Sequence, residues 1–182
     1  MDVNKISDFI KEGAKSLNIY KWDFGASFSN DFSVQIDKGV AKQLKASQKQ
    51  VLTLRVWNDN DLVGITTTSD LSEIGLKKAL FQASLASQYG NKNEKIDFSP
   101  LSKDPIKLLD TKKINPSGIT KLLNVLRNAE TNLLKKHEAI KSIPYNGLSE
   151  SFFKRVYANS DGASRSFENS QAALYLYARA EE

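Results

Sequence analysis

The pattern of hydrophobic and polar positions is most regular in residues 51–68. Residues 51–57 alternate between aliphatic and other side chains, as expected for a strand that is buried on one face. Residues 58–61 are all asparagine or aspartate, which favour turns, and a second β-branched run follows over residues 62–68. This pattern predicts a β-hairpin. The aliphatic face of its first strand is formed by Leu52, Leu54 and Val56.

A helix is predicted immediately after the hairpin. Either Ser69 or Asp70 is expected to be its N-cap, and Glu73 lies three residues after Asp70, as in a capping box. Apolar residues then recur at spacings of three and four as far as Gly90. A glycine in the left-handed conformation is a common helix terminator, so the helix is expected to end there.

Two further helices and several strands follow from the same periodicities. An amphipathic helix is predicted near the start of the chain, with Asn4 or Ser7 as its cap and its end near Asn18. A second begins with Asn115 as the cap and Pro116 in the first turn, and ends near Lys136. Outside the hairpin, strands are predicted at residues 22–29, 32–36, 143–145, 151–158 and 164–178.

Together these elements predict an α+β fold, with a mixed or antiparallel sheet and three main helices packed against it. A chain of 182 residues with 40% hydrophobic residues can bury a substantial core, so residues 1–182 are interpreted as a single domain. Residues 91–115 contain two prolines and little periodicity, which predicts a long surface connection. A subdivision of the chain at this connection is the alternative.

The formal charge of +5 comes mainly from scattered lysines. Lys38, Lys42, Lys45 and Lys49 are spaced by four, three and four residues, so a helix would place them on one face as a candidate basic surface for nucleic acid. Residues 40–50 contain few apolar positions and lie between two strand patterns. We therefore favour a solvated strand, and nucleic acid is not the favoured partner.

The sequence contains no common catalytic motif. It has one histidine, His137, and no cysteine, which excludes zinc motifs with two histidines, thiolate metal sites and disulfides. Phosphate-binding glycine loops are also absent. Arg55, close to Trp57, is the most interesting charged residue, and stacking or ion pairing on the wetter face of the sheet is the favoured interpretation. We predict no catalytic, metal-binding or cofactor-binding residue.

Membrane association is not expected, because no apolar run approaches about 20 residues and the first residues do not resemble a signal peptide. A cytoplasmic location is the expectation.

The segment LTLRVWNDNDLVGITTTSDLSE resembles the N-terminal domain of the TldD/PmbA family, which includes proteins once described as modulators of DNA gyrase. The likeness consists of a D-x-G turn between strands, an R-V strand, a glycine-containing strand ending in T-S-D-L and an alanine-rich helix, in this order. Residues 159–162 are similar to the family's N/S-x-G turn. The family signature, interpreted as structural, comprises Arg55, Gly64, Thr68, Ser69, Asp70 and Leu71.

The resemblance implies the non-catalytic N-terminal domain of an intracellular, PmbA-like peptidase that acts on peptides. Such a domain would contribute to a substrate cavity and associate with a TldD/PmbA-type subunit as a homo-oligomer or hetero-oligomer. TldD-type members carry an H-E-x-x-x-H zinc motif in a C-terminal domain, which has no counterpart in this sequence. Zinc is therefore expected only in a partner or in a missing C-terminal domain.

Two alternatives remain open. One is a nucleic-acid-binding or gyrase-associated module, which the net charge and lysine spacing would suit. The other is an interaction domain that adds a peptide to an exposed strand edge.

Overall fold

The computed structural model describes residues 3–90, 97–104 and 116–181. The described chain forms an α+β fold with one antiparallel sheet and three α-helices, which confirms the predicted fold class. The sheet order is β3-β2-β1-β4-β5, so β3 and β5 are its outer strands. The elements are α1 Val3–Ser16, β1 Lys21–Asp37, β2 Val40–Trp57, β3 Val63–Thr68, α2 Glu73–Ser87, a short 3-10 helix Pro100–Lys103, α3 Ile119–Leu134, β4 Ile140–Asn159 and β5 Ser164–Ala180.

The chain divides into two compact units. The first consists of Met1–Phe28, Lys49–Asp110 and Lys154–Phe167, and the second of Ser29–Gln48, Thr111–Phe153 and Glu168–Glu182. In the first unit, α1 and α2 cover a core that is built on Phe24, Leu52 and Leu54. In the second unit, Leu122 and Leu126 of α3 pack in a smaller cluster. The other buried members of that cluster are Val34, Ile36 and Leu148.

The β2–β3 hairpin is confirmed, and its aliphatic face is buried as predicted. Its turn is held by Asn58, whose Oδ1 accepts hydrogen bonds from the backbone N–H groups of Asn60 at 2.9 Å and Leu62 at 3.0 Å. Asp61 adopts a positive φ of 59°, which short polar residues tolerate. Asn58 Nδ2 also donates to the carbonyl of Ser87 at 3.0 Å, so the turn is tied to the end of α2.

The predicted caps of α2 are wrong. The N-cap is Ser72, whose Oγ accepts from the backbone N–H of Gly75 at 3.1 Å. Asp70 instead accepts from the N–H of Ser72 at 3.0 Å, which sets the turn that precedes the helix. Because Glu73 is the first helical residue, it does not form a capping box.

The end of α2 also differs from the prediction. The helix ends at Ser87, and Gln88 follows with right-handed backbone angles. Gly90 is not among the residues with positive φ. Glycine fits there for a different reason: a Cβ atom would lie 2.6 Å from the carbonyl oxygen of Val63, so any side chain would clash with β3.

The predicted breaks within two long strands are also wrong. Residues 30 and 31 do not form a turn, and β1 continues through them from Lys21 to Asp37. Asn146 and Gly147 lie within continuous β4. The buried amide of Asn146 bonds to both the N–H and the C=O of Ile36, at 3.0 and 2.9 Å, and so acts as part of the strand ladder. Asparagine favours turns locally, but here its side chain pairs with a distant strand.

The third helix begins later than predicted. Gly118 is its N-cap, with φ of 80°, and the first helical residue is Ile119 instead of Pro116. Asn115, the predicted cap, lies outside the described residues, as do parts of the predicted connection at residues 91–96 and 105–115. Within the described chain, no helix is both long and apolar enough to cross a membrane.

Candidate functional site

The first unit contains a face of the sheet that is rich in polar groups. Alternate side chains of β1, β2 and β4, including Phe24, Leu54 and Ala158, belong to the core beneath the helices. Residues between them in the strands point to the opposite side, since successive strand residues alternate in direction. We call this opposite side the polar sheet face, and it comprises Lys21, Asp23, Thr53, Arg55, Trp57 and Tyr157.

An ion pair lies at the centre of the polar sheet face. The Asp23 side chain is 2% exposed, and both of its oxygens accept hydrogen bonds from Arg55. The Nε–Oδ1 distance is 2.8 Å, and Nη2 contacts Oδ2. This two-pronged geometry is the strongest pairing available to an arginine and a carboxylate, and it offsets the cost of burying the charge. The predicted pairing of Arg55 on the sheet is therefore observed.

Tyr157 completes the hydrogen bonding of this carboxylate. Its hydroxyl donates to Asp23 Oδ2 at 3.2 Å, and Asn159 Nδ2 lies 3.5 Å from the hydroxyl oxygen. Burial, and then the negative charge of Asp23, raises the pKa of Tyr157. The hydrogen bond to Asp23 raises the pKa of Arg55. Both groups therefore keep their protons near neutral pH, and neither is suited to accept one.

Aromatic rings border the ion pair on one side. The guanidinium carbon of Arg55 lies 5.3 Å from the ring centroid of Trp57, and Lys21 Nζ lies 5.3 Å from the same centroid. Phe98 meets Trp57 edge-on at 5.8 Å. Lys21 also pairs with Asp97 at 3.6 Å. Trp57 is 6% exposed, so these cation–π contacts hold Arg55 and Lys21 in position beside the ion pair.

The remaining signature residues serve the connection from β3 to α2. A Cβ atom at Gly64 would lie 1.9 Å from the carbonyl oxygen of Ala83, so β3 approaches α2 too closely for any side chain. Leu71 is buried in the core of the first unit. Ser69 accepts a hydrogen bond at its carbonyl from Gln50 Nε2 at 2.9 Å.

Thr68 and Asp70 shape the turn in that connection. Thr68 Oγ1 accepts from the N–H of Asp70 at 3.1 Å, and Asp70 accepts from the N–H of Ser72. Hydrogen bonding to Ser72 lowers the pKa of Asp70. These hydrogen bonds of Thr68 and Asp70 join neighbouring residues of the turn, which is consistent with their structural interpretation.

The four candidate basic residues lie in and beside β2 and are all exposed. Lys38 and Gly39 form the tight β1–β2 turn, with φ of 50° and 77°. Lys42 and Lys45 are three positions apart in a strand, so their side chains point to opposite faces. The predicted solvated strand is confirmed, and the lysines do not form one stripe. Their role in binding stays a prediction.

Asp23, Tyr157 and Lys21 were not singled out from the sequence. The available signal was Asp23 itself, a charged residue between two core aromatics, Trp22 and Phe24. That pattern indicates a carboxylate on the less apolar face of a strand. It does not identify Arg55 as the partner, because the pairing depends on β1 lying next to β2.

The outer strand β5 bears on the strand-edge alternative. It is 17 residues long and mostly exposed, and β4 is its neighbour in the sheet. Among the described strands β5 has one neighbour, so its other edge would provide a physical site for strand addition. Among the described residues, no group of three or more histidine, cysteine, aspartate or glutamate side chains is placed to hold a metal ion.

Comparison with known proteins finds a family similarity in the second part of the sequence. Residues 110–182 match the family model described as the PmbA/TldA metallopeptidase central domain. This confirms the predicted resemblance to the TldD/PmbA family. The family model covers only residues 110–182. The assignment of residues 1–182 to a single N-terminal domain therefore stays a prediction. A search of curated proteins found no match.

Solved structures share the fold of the whole chain. TldE from Thermococcus kodakarensis superposes with a TM-score of 0.77 at 17% identity, covering 97% of this chain and 39% of its own. A candidate modulator of a DNA gyrase from Thermotoga maritima MSB8 gives 0.75 at 15% identity, covering 100% of this chain and 40% of its own.

A candidate modulator of DNA gyrase from Bacteroides thetaiotaomicron VPI-5482 gives a TM-score of 0.73 at 16% identity, covering 94% of this chain and 39% of its own. This chain thus spans about two fifths of the length of each of these three structures.

Proposed function

Because residues 110–182 match the model of the PmbA/TldA metallopeptidase central domain, we propose that this chain is a non-catalytic part of a peptidase assembly of that family. The family-model match carries the proposal. The sequence itself supports the non-catalytic role, since a chain with one histidine cannot supply the two imidazoles of an H-E-x-x-x-H zinc motif. Zinc and the activated water would come from another domain or from a partner subunit.

In this proposal the polar sheet face borders the cavity that holds the peptide substrate. Its central groups, Asp23, Arg55 and Tyr157, are held in place by hydrogen bonds to one another. Lys21 and the partly exposed Arg55 add positive charges, and the buried Trp57 ring lies beside both. A peptide presents carbonyl and carboxylate groups that can accept hydrogen bonds from such donors, so a preorganised surface of this composition suits it.

The proposed partner is a TldD/PmbA-type subunit, as a homo-oligomer or hetero-oligomer. The similarity of fold to TldE supports this choice of partner. A cytoplasmic location is part of the same proposal.

The test is a cleavage assay with unstructured peptides. This chain, a full-length zinc-bearing TldD-type subunit, and their mixture are assayed with and without a chelator. We expect no cleavage by this chain alone, and cleavage by the mixture that the chelator abolishes. Cleavage by this chain alone that survives chelation would overturn the proposal.

The second candidate function is a nucleic-acid-binding or gyrase-associated module. The descriptions of two of the similar structures as candidate gyrase modulators favour it, as does the net charge of +5. Binding driven by phosphate contacts would weaken steeply as salt increases. Absence of binding to duplex and single-stranded DNA at low salt would exclude direct nucleic-acid binding.

A further inference from the structure

Helix α2 is apolar on two opposite faces. One face is buried in the core of the first unit and includes Leu76, Leu80 and Ala83. On the other face Ile74 is 81% exposed and Phe81 is 52% exposed. A helix with apolar residues on two opposite faces normally lies between two packed layers. In the part of the chain that the structure describes, only one of these two faces of α2 is buried.

The outward side chains follow a regular line along the helix. Ile74, Phe81 and Leu85 are separated by seven and four residues, and all three are exposed. This is the spacing of the apolar seam through which two helices pack against each other. The line is therefore suited to another helix.

An open groove runs between this side of α2 and α1. Its volume is about 1120 Å³, and we call it the α1–α2 groove. The helices approach closely at Gly13, where a Cβ atom would lie 2.7 Å from Leu80 Cδ2. The apolar part of the groove is lined by Phe9, Gly13, Leu17, Ile74, Leu80 and Phe81.

The two sides of the α1–α2 groove carry opposite net charge. The α1 side has one basic and two acidic residues, for a net charge of −1, and the α2 side has two basic and one acidic residue, for a net charge of +1. Among the described residues, none of these six forms an ion pair. They are Lys5, Asp8 and Glu12 on α1, and Glu73, Lys77 and Lys78 on α2.

We propose that a second copy of this chain occupies the α1–α2 groove across a two-fold axis, with α1 of each copy facing α2 of the other. A two-fold contact uses the same surface on both copies, so each negative α1 side meets a positive α2 side twice. The exposed seam of α2 is covered in the same arrangement.

The size of the surface sets the expected affinity. With 14 residues in α1 and 15 in α2, each helix is about 21 to 23 Å long, and two neighbouring helices present a face about 20 Å wide. The area of this two-helix face is on the scale of the smaller specific protein–protein interfaces and is below that of obligate interfaces. We expect reversible dimers with a Kd on the order of micromolar.

The experiment is sedimentation velocity of the full chain over a range of concentrations. The wild-type chain is expected to shift from monomer to dimer. Phe81→Glu is expected to weaken dimerisation at least about tenfold, because it places a charge in the apolar seam. Tyr145→Glu is the matched control, because Tyr145 is an exposed aromatic residue of the second unit, and it should dimerise like the wild type.

Charge reversal tests the arrangement itself. A variant with Lys77→Glu and Lys78→Glu, and another with Asp8→Lys and Glu12→Lys, should each stay monomeric because like charges then face each other. A mixture of the two variants should form a heterodimer, since opposite charges meet again. Circular dichroism confirms that each variant is folded.

Three outcomes would overturn the proposal: a monomeric wild type at every concentration, full dimerisation of Phe81→Glu, or a mixture of the charge variants that stays monomeric. The proposed function is tested separately. If the wild type stays monomeric but the mixture with a zinc-bearing subunit still cleaves peptides, only the groove proposal fails.

Discussion

Removing the guanidinium of Arg55 tests the central ion pair of the polar sheet face most sharply. Arg55→Met keeps a long apolar side chain but leaves the Asp23 carboxylate, 2% exposed, with the hydroxyl of Tyr157 as its side-chain hydrogen-bond partner. Removing one partner of a buried ion pair costs about 3–5 kcal/mol of unfolding free energy. Because the Arg55 side chain is 42% exposed, water can replace part of the contact, and we expect about 3 kcal/mol.

A double-mutant cycle separates this pairing from general damage to the sheet. Asp23→Asn in the Arg55→Met background removes the uncompensated charge, so the double variant should be more stable than Arg55→Met alone by about 1–2 kcal/mol. The matched control is Arg179→Met. Arg179 is also a strand arginine in an ion pair, with Glu181 at 2.8 Å, but both partners are well exposed. Its loss should cost less than about 1 kcal/mol.

Urea unfolding followed by circular dichroism gives these free energies, with the slope of the transition checked for constancy across the variants. The reasoning would be refuted if Arg55→Met cost no more than Arg179→Met. It would also fail if Asp23→Asn made the Arg55→Met variant less stable instead of more stable.

Three further tests, two of them with a control substitution, concern local features of the fold and of the site. Ser72→Ala should lower the free energy of unfolding by about 1 kcal/mol, because it removes the observed cap of α2. The control Ser69→Ala should lower it by less than about 0.5 kcal/mol. Equal losses in urea unfolding would contradict this assignment of the cap. Gly64→Ala should destabilise the protein by about 3 kcal/mol or more, because the new Cβ clashes with the backbone of α2. In the control Gly25→Ala the new Cβ meets no described atom within 4 Å apart from its chain neighbours, so this change should cost less than about 1 kcal/mol. A similar thermal stability of the two variants would count against the close approach of β3 to α2. The raised pKa of Tyr157 contributes stability that is fully present below the unfolded value near pH 10 and is lost as pH rises through the folded value. The stability of the wild type relative to Tyr157→Phe should therefore fall as the pH rises above about 10 in unfolding measurements, and a constant difference would show that Tyr157 does not titrate in this way.

Local periodicity was sufficient to predict the parts of the fold whose structure depends on neighbouring residues. The hairpin of β2 and β3 is an example, because its alternation, its turn residues and its buried Leu52 and Leu54 all lie within one short stretch. The choice of helix cap was harder. Ser69, Asp70 and Ser72 are all capable of capping, and only the path of the backbone after β3 decides that Ser72 does so.

Contacts between residues far apart in the sequence could not be predicted from the periodicity of hydrophobic residues. Asn146 favours a turn locally, but its amide completes the ladder with Ile36, 110 residues away. The candidate site depends on pairing of the same kind: Asp23 is 32 residues from Arg55 and 134 from Tyr157. The sequence therefore identified Arg55 as unusual, but the sheet order was needed to identify its partners.

The central claim is that the polar sheet face borders the peptide substrate. Photo-cross-linking measures this directly, with p-benzoylphenylalanine in place of Thr53 on that face, or in place of Tyr89, an exposed residue just after α2. Each variant is mixed with a zinc-bearing TldD-type subunit, a chelator that prevents cleavage, and a labelled unstructured peptide. The proposal predicts a saturable cross-link from position 53 and little or none from position 89. Cross-linking from position 89 alone, or from neither position, would contradict it.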